Sequence, residues 1–116
     1  MIRAYDKTYL EDAMLNLAVA LDYAGGIDEF YDRMLAGNVI RQFEKGNPKY
    51  VSGLSGIELG KKIIESTGGR ARDYNYVLDD RSAIFWTGWV LAYLQWYTNV
   101  PFESLNAKGI DVHRVM

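Results

Sequence analysis

The residues best suited to catalysis and metal binding are scarce in this 116-residue chain, which has one histidine, His113, and no cysteine. Acyl transfer needs a nucleophile, a base and a group that orients the base, and no such set accompanies His113 in the sequence. Transition-metal sites are built mainly from histidine and cysteine ligands. We therefore predict no catalytic residues, no metal site and no cofactor, and we assign His113 to the surface.

Carboxylates are plentiful, and Asp12 has the position that favours chemistry most. It lies beside the apolar stripe of the first predicted helix, one turn before Asn16. A carboxylate at the edge of a core is a candidate for general acid or base catalysis, although structural ion pairs and solvated faces account for most acidic residues. A small enzyme that uses Asp12 with Tyr or Asn partners is thus kept as an alternative.

A glycine-rich loop at residues 46–56 precedes a predicted helix, which is a setting in which backbone N–H groups bind anions. The loop lacks the Gly-Lys-Ser/Thr ending of a P-loop, so nucleotide binding is not favoured. We expect a turn followed by a capped helix. Asn47, Lys49 and Tyr50 are kept as candidate partner-binding residues, and Lys49 is expected to bind an acidic side chain of the partner.

The segment 82–99 is the most aromatic part of the chain and predicts one long helix. Its apolar residues form two rows at helical spacing, namely Phe85, Trp89, Ala92, Trp96 and Trp86, Val90, Tyr93, Tyr97. Together the rows leave almost no polar face, which predicts a central helix and a largely structural role. Because Trp and Tyr dominate binding hot spots, any exposed surplus on the second row is a candidate interface, and Trp86 and Tyr97 are its candidate residues.

Two residues of this aromatic helix require particular neighbours. Gly88 lies in the middle of the helix, where glycine costs about 1 kcal/mol relative to alanine, so we expect another helix to approach closely there. Gln95, if buried, needs hydrogen-bond partners, which we expect tyrosine hydroxyl groups to supply.

Further amphipathic segments and their caps predict the remaining elements. Helices are expected from Thr8 to Ala24, from a cap at Asp28, from a cap at Asn38, from the Ser55–Glu58 capping box, and from near Pro101, with one more turn from Asp111. No segment shows the two-residue alternation of a strand. We predict an all-α fold, a compact five- or six-helix bundle or orthogonal array around the central aromatic helix, in a single domain over residues 1–116.

The overall composition bears on two predictions, namely the class of partner and the cellular location of the protein. The net charge of −2 gives no general reason for nucleic-acid binding. A nucleic-acid-binding regulator is nevertheless kept as an alternative, because Leu105, Gly109 and Val115 match a helix-turn-helix spacing and because the middle of the chain holds basic residues, namely Lys45, Lys49, Lys61, Lys62, Arg70 and Arg72. The absence of cysteine, of a signal peptide and of an apolar run long enough to cross a membrane predicts a cytoplasmic protein.

Three phrases of the sequence resemble those of a small uncharacterised family of helical proteins in gut-dwelling Firmicutes. They occupy residues 5–14, 43–51 and 86–97 and read YDKTYLEDAM, FEKGNPKYV and WTGWVLAYLQWY. The resemblance spans essentially the whole chain and implies no catalytic residues. It also implies a gene neighbourhood shared with ADP-ribosyltransferase-like toxins.

Our hypothesis from the sequence is therefore a non-enzymatic protein-interaction module, antitoxin-like or otherwise accessory to a toxin enzyme. Another protein is the expected partner, and a homodimer is an alternative. An acidic N-terminal third, with seven acidic residues against three basic ones in residues 1–37, suits a basic partner.

Overall fold

A computed structural model of the protein describes residues 7–71, 76–78 and 81–115. These residues form eight α-helices and no strand, so the predicted all-α class is confirmed. In chain order the helices are α1 (Lys7–Ala24), α2 (Ile27–Ala36), α3 (Val39–Glu44), α4 (Pro48–Val51), α5 (Gly56–Ser66), α6 (Ala83–Thr98), α7 (Phe102–Ala107) and α8 (Val112–Val115). None of the described helices combines the length and apolarity that crossing a membrane would need.

Helix α1 packs most extensively against α6 and α5, and glycine allows both close approaches. A Cβ atom at Gly88 of α6 would lie 2.7 Å from the Cα atom of Ala18. A Cβ atom at Gly56 of α5 would lie 2.5 Å from the Cβ atom of Val19. Both distances are shorter than van der Waals contact, so neither position accepts a side chain without movement of α1. The close approach predicted at Gly88 is confirmed, and α1 is the neighbour.

Helix α6 contributes one of the largest sets of buried residues, consistent with the organising role predicted for it. The buried set comprises Phe85, Thr87, Gly88, Leu91, Ala92, Gln95 and Trp96. They continue into a hydrophobic cluster that draws residues from all eight described helices. Burial is nevertheless one-sided, because the second aromatic row of α6 lies at the surface. The helix is central on the face that meets α1 and exposed on the opposite face.

The expectation that tyrosine hydroxyl groups bind the Gln95 side chain is wrong. Gln95 is buried as predicted, but its Nε2 atom donates to the backbone carbonyl of Glu44 at 3.3 Å. Its Oε1 atom has no hydrogen-bond partner in the described structure. The C-terminal end of α3, rather than a tyrosine, lies against this part of α6. The last carbonyl groups of a helix have no hydrogen-bond partner within the helix, so they can accept from a side chain.

Several helix caps follow the sequence closely. The Oγ atom of Ser55 accepts from the N–H of Glu58, whose carboxylate accepts from the N–H of Ser55 in return. Ser82 caps α6 through hydrogen bonds from the N–H groups of Ile84 and Phe85. The cap predicted for α2 is wrong, because Gly26 occupies that position and Asp28 lies within the first turn. There its charge complements the helix dipole instead.

The number of helices is also larger than the predicted five or six, mainly because of α4. Its residues belong to the segment that we expected to be a loop. Pro48 begins this helix, and proline is well suited to the first position of a helix because it has no N–H group to satisfy. The side chain of Asn47 caps this short helix by accepting from the N–H of Lys49 at 3.1 Å.

Candidate partner-binding surface

Four large side chains of α6 form an exposed band that we call the aromatic stripe: Trp86, Val90, Tyr93 and Tyr97. Their exposed fractions are 46%, 39%, 43% and 63%, whereas most apolar residues of α6 are buried or half-buried. The intervals of four, three and four residues place them along one side of the helix, opposite Gly88. The same intervals define the apolar seam of a coiled coil, which packs against another helix.

Ring contacts within α6 hold the stripe in a defined shape. The Trp86 ring lies 5.2 Å from the Phe85 ring and 5.4 Å from the Trp89 ring, measured between centroids. The Tyr93 and Tyr97 rings stack at 5.8 Å with an interplanar angle of 14°. Side chains that are already fixed lose little conformational entropy on binding, which favours rigid aromatic groups at protein interfaces.

The stripe is also free of formal charge. No Asp, Glu, Lys or Arg occurs anywhere in residues 83–98. The stripe exposes on the order of 400 Å², taking about 150–250 Å² for one whole aromatic side chain. A patch of that size is typical of the largest apolar patch on a monomer, which often has a function. Covering it with another protein would bury apolar surface without stranding a charge.

The structure brings Trp86 and Tyr97 together on the stripe, but it places Asn47, Lys49 and Tyr50 elsewhere. These three belong to the α4 segment, which packs on α1 and α3. The amide of Asn47 is engaged in the α4 cap and with the side chain of Gln42 at 3.3 Å. Lys49 is exposed, with its Nζ atom 5.7 Å from the centre of the Tyr50 ring. That local cation–π contact accounts for the pairing of these two side chains.

The residues that fasten the 46–56 segment are those that sequence analysis singled out on α1. Asn16 donates from its Nδ2 atom to the carbonyl groups of Val51 at 2.6 Å and Leu54 at 3.2 Å. The carboxylate of Asp12 accepts from the Ser52 hydroxyl group at 2.7 Å. Asp12 therefore helps to hold the 46–56 segment against α1. The helix end that follows the loop is occupied by its own capping box, which removes the simplest anion site there.

His113 is exposed, as predicted, but it has an acidic neighbour that the sequence did not reveal. Its Nε2 atom contacts the Asp28 carboxylate of α2, and both side chains are mostly solvent-accessible. Solvent-accessible pairs of this type contribute little to stability and lack the desolvated setting of a catalytic dyad. Among the described residues, no group of three or more His, Asp or Glu side chains is arranged to hold a metal ion.

Among the cavities bordered by described residues, three that lie outside the stripe have volumes of about 320, 340 and 330 Å³. The first is bordered by Arg33 and Arg70, and the Arg33 guanidinium group is already bound to the Thr67 carbonyl at 3.0 Å and to Glu29 at 3.2 Å. The third is bordered by Asp28, Asp32 and Asp111.

The second cavity is bordered by Glu44, a half-buried residue at the end of α3. Burial raises the pKa of Glu44, and the opposing influences are a hydrogen bond from the Phe102 N–H and the nearby charge of Arg41. Glu44 thereby links the end of α3 to the start of α7. A single carboxylate committed to a backbone N–H is a structural link rather than an acid–base pair.

The C-terminal segment with helix-turn-helix spacing folds as a tight turn on the core. Gly109 has a φ of 85° between α7 and α8, while Leu105 and Val112 are buried. The His113 side chain contacts Asp28 and borders a cavity that Asp32 and Asp111 also line, and these carboxylates repel a phosphate backbone. Of the basic residues proposed for a nucleic-acid surface, Arg72 lies outside the described residues.

Val90 and Tyr93 are the stripe residues that were not chosen as candidates from the sequence. Their row was recognised, but the rows alone did not say which of the two faces α1. The signal was Gly88, because the row opposite a mid-helix glycine is the one left uncovered when another helix packs onto that glycine.

No family model matches the chain, and neither a curated protein nor a solved structure was found to be similar to it.

Proposed function

We propose that this protein is a non-enzymatic, antitoxin-like interaction module that binds a partner protein through the aromatic stripe. The observation that carries the proposal is the exposure of Trp86, Val90, Tyr93 and Tyr97 on one uncharged helix face. Trp and Tyr are enriched among residues that dominate binding energy, because they bury large area with few rotatable bonds.

The spacing of the stripe favours a helical partner segment. Intervals of four, three and four residues match the seam of a second helix with apolar residues at similar intervals. The acidic first third of the chain favours a partner with net positive charge, but only by speeding encounter, because α1 packs on the face of α6 opposite the stripe. That the partner is a toxin enzyme encoded nearby rests on the family resemblance alone.

The test is co-expression of the tagged protein with the product of its neighbouring gene. We expect the two proteins to purify together. We also expect the host to grow although it produces the toxic product of the neighbouring gene. The double variant Trp86→Lys/Tyr97→Lys should reduce capture at least tenfold, because two charges would be buried in an apolar interface.

A matched control comes from α1, where Leu15 is also large, apolar and exposed. Leu15→Lys should capture the neighbour as well as the unchanged protein does, and circular dichroism should show that all variants keep their helices. Capture that is equal for the stripe variant and the control would contradict the stripe as the binding face. Absence of both complex and growth rescue would contradict the antitoxin-like role.

A further inference from the structure

We propose that the cavity between α2 and α8 binds a small aliphatic diamine through the carboxylates of Asp32 and Asp111 and the hydroxyl group of Tyr31. We call this hollow of about 330 Å³ the acidic cavity, because Asp28, Asp32 and Asp111 border it. The proposal is independent of the aromatic stripe, since no residue of the stripe borders the acidic cavity.

The charge of the acidic cavity selects a cation. Three carboxylates border it, whereas no Lys or Arg is among the described residues that do. The Asp28 carboxylate is already in contact with His113. Asp32 forms no ion pair with another described residue, and Asp111 uses one carboxylate oxygen to accept from the N–H of Arg114 at 2.9 Å. The charges of Asp32 and Asp111 are therefore available to a ligand.

The placement of these carboxylates favours an organic cation over a metal ion. Asp32 belongs to α2, whereas Asp111 lies just before α8, so the two charges come from different elements. A calcium ion needs six or more oxygen ligands within about 2.6 Å of one point. Among the described residues no group of three or more His, Asp or Glu has such an arrangement. A diamine carries two charges at the ends of a flexible chain, so it can reach carboxylates that a single ion cannot join.

A buried hydroxyl group is the second observation that points to a ligand. Tyr31 borders the acidic cavity and is only 5% exposed, and its hydroxyl group has no hydrogen-bond partner among the described residues. The hydroxyl group lies towards the cavity, because the charge of Asp111 is near enough to raise the pKa of Tyr31. Native proteins rarely leave a buried polar group unpaired. An ammonium group has three N–H donors, so it can donate to the phenol oxygen and to a carboxylate together.

Two apolar side chains suit the carbon chain of a diamine. Leu35 is half-buried on α2 and Val112 is buried at the start of α8, and both border the acidic cavity. Methylene groups that leave water for such a surface add to the free energy of binding. The cavity volume is at the lower end of the range for small-molecule sites, which is about 300–1,000 Å³. We therefore expect a short diamine, and diaminobutane with one amino group at each end is the probe.

Titration of the isotope-labelled protein with diaminobutane, followed by NMR, tests the proposal. Because ion pairs that are open to water are weak, we expect a dissociation constant on the order of 1 mM. The amide signals of α2 and of residues 111–113 should shift and saturate while NaCl keeps the ionic strength constant. Butylamine has one charge and butanediol has none, so each should bind at least about tenfold more weakly than diaminobutane.

Two variants test the residues of the acidic cavity. Asp32→Asn removes one charge with little change of shape and should weaken diaminobutane binding about fivefold. Its matched control is Glu11→Gln, which removes one charge from an exposed residue of α1 outside the cavity and should change binding less than about twofold. Tyr31→Phe should weaken binding about fivefold while it stabilises the free protein, because the hydroxyl group lacks a partner until the amine binds. A tyrosine with only a structural role would not separate these two effects.

Several results would overturn the proposal. One is the absence of saturating shifts at about 10 mM diaminobutane, which is ten times the expected dissociation constant. Another is butylamine or butanediol that binds as tightly as diaminobutane does. Calcium chloride that produces the same shifts at a lower concentration would identify a metal site instead. Binding that is unchanged in Asp32→Asn or in Tyr31→Phe would contradict the assignment of these side chains to the ligand.

Discussion

Tyr31 of α2 carries a hydroxyl group that is buried without a hydrogen-bond partner among the described residues. Burial is the main reason that the pKa of Tyr31 rises from its ordinary value of 10.0 to about 12, and the nearby Asp111 carboxylate adds to the rise. A buried polar group without a partner costs free energy, because it has given up its hydrogen bonds to water. The ring of Tyr31 thus stabilises the core while its hydroxyl group destabilises it.

Replacement of Tyr31 by phenylalanine should therefore raise the free energy of unfolding by about 1 kcal/mol at neutral pH. In the unchanged protein the folded state holds the phenol proton more tightly than the unfolded state does. Its stability should consequently fall as the pH rises from 10.0 through about 12, and Tyr31→Phe should lose that part of the fall. Urea unfolding at neutral and alkaline pH measures both effects.

Tyr93→Phe is the control, because Tyr93 is exposed on the stripe. It should change the stability at neutral pH by less than about 0.5 kcal/mol. A Tyr31→Phe variant less stable than the unchanged protein would show that the hydroxyl group has a partner in solution.

At the scale of elements, the contact between α1 and α6 depends on one glycine. Gly88 loses about 1 kcal/mol of helix propensity relative to alanine, so an isolated α6 would gain from Gly88→Ala. In the folded protein the added methyl group would lie 2.7 Å from the Ala18 Cα atom and 2.8 Å from the Leu17 carbonyl oxygen. These are backbone atoms of α1, which cannot move aside as a flexible side chain does.

We expect Gly88→Ala to destabilise the protein by about 1–3 kcal/mol, because overpacking outweighs the gain in propensity. Gly88→Val should cost more. The measurement is urea unfolding followed by circular dichroism. An increase in stability of about 1 kcal/mol on Gly88→Ala would mean that propensity alone governs this position and that α1 and α6 do not approach as described.

At the scale of the molecule, all three tryptophans lie on one element. Trp86, Trp89 and Trp96 belong to α6, so tryptophan fluorescence reports the surroundings of that helix alone. Far-ultraviolet circular dichroism reports all of the helices together. Because one hydrophobic cluster joins all eight described helices, we expect the chain to unfold as one cooperative unit.

Fluorescence and circular dichroism should therefore give the same urea midpoint, within experimental error. Coincident transitions are the standard test of two-state unfolding, and they would support the single domain predicted over residues 1–116. A fluorescence transition at lower urea than the dichroism transition would show that α6 detaches before the remainder unfolds.

Much of the fold follows from local sequence. The capping box at Ser55 and Glu58, the cap at Ser82 and the ending of α6 at Asn99 are contacts between residues close in the chain. Helix α4 was missed because proline both breaks and begins helices, and the choice depends on what the segment packs against. The link between Asp28 and His113 could not be foreseen, since 85 residues separate them.

The sequence by itself determined that α6 is a long, uncharged helix with two aromatic rows, because composition and a 3.6-residue period are local properties. It did not determine which row is covered. Only the packing of α1 onto Gly88 decides that, since one helix cannot bury both of its faces against a single neighbour. That packing also left Trp86 and Tyr97 on the surface, where the proposed function requires them. A separate contact, that of α1 with α4 and the loop after it, brought Asp12 and Asn16 to the 46–56 segment.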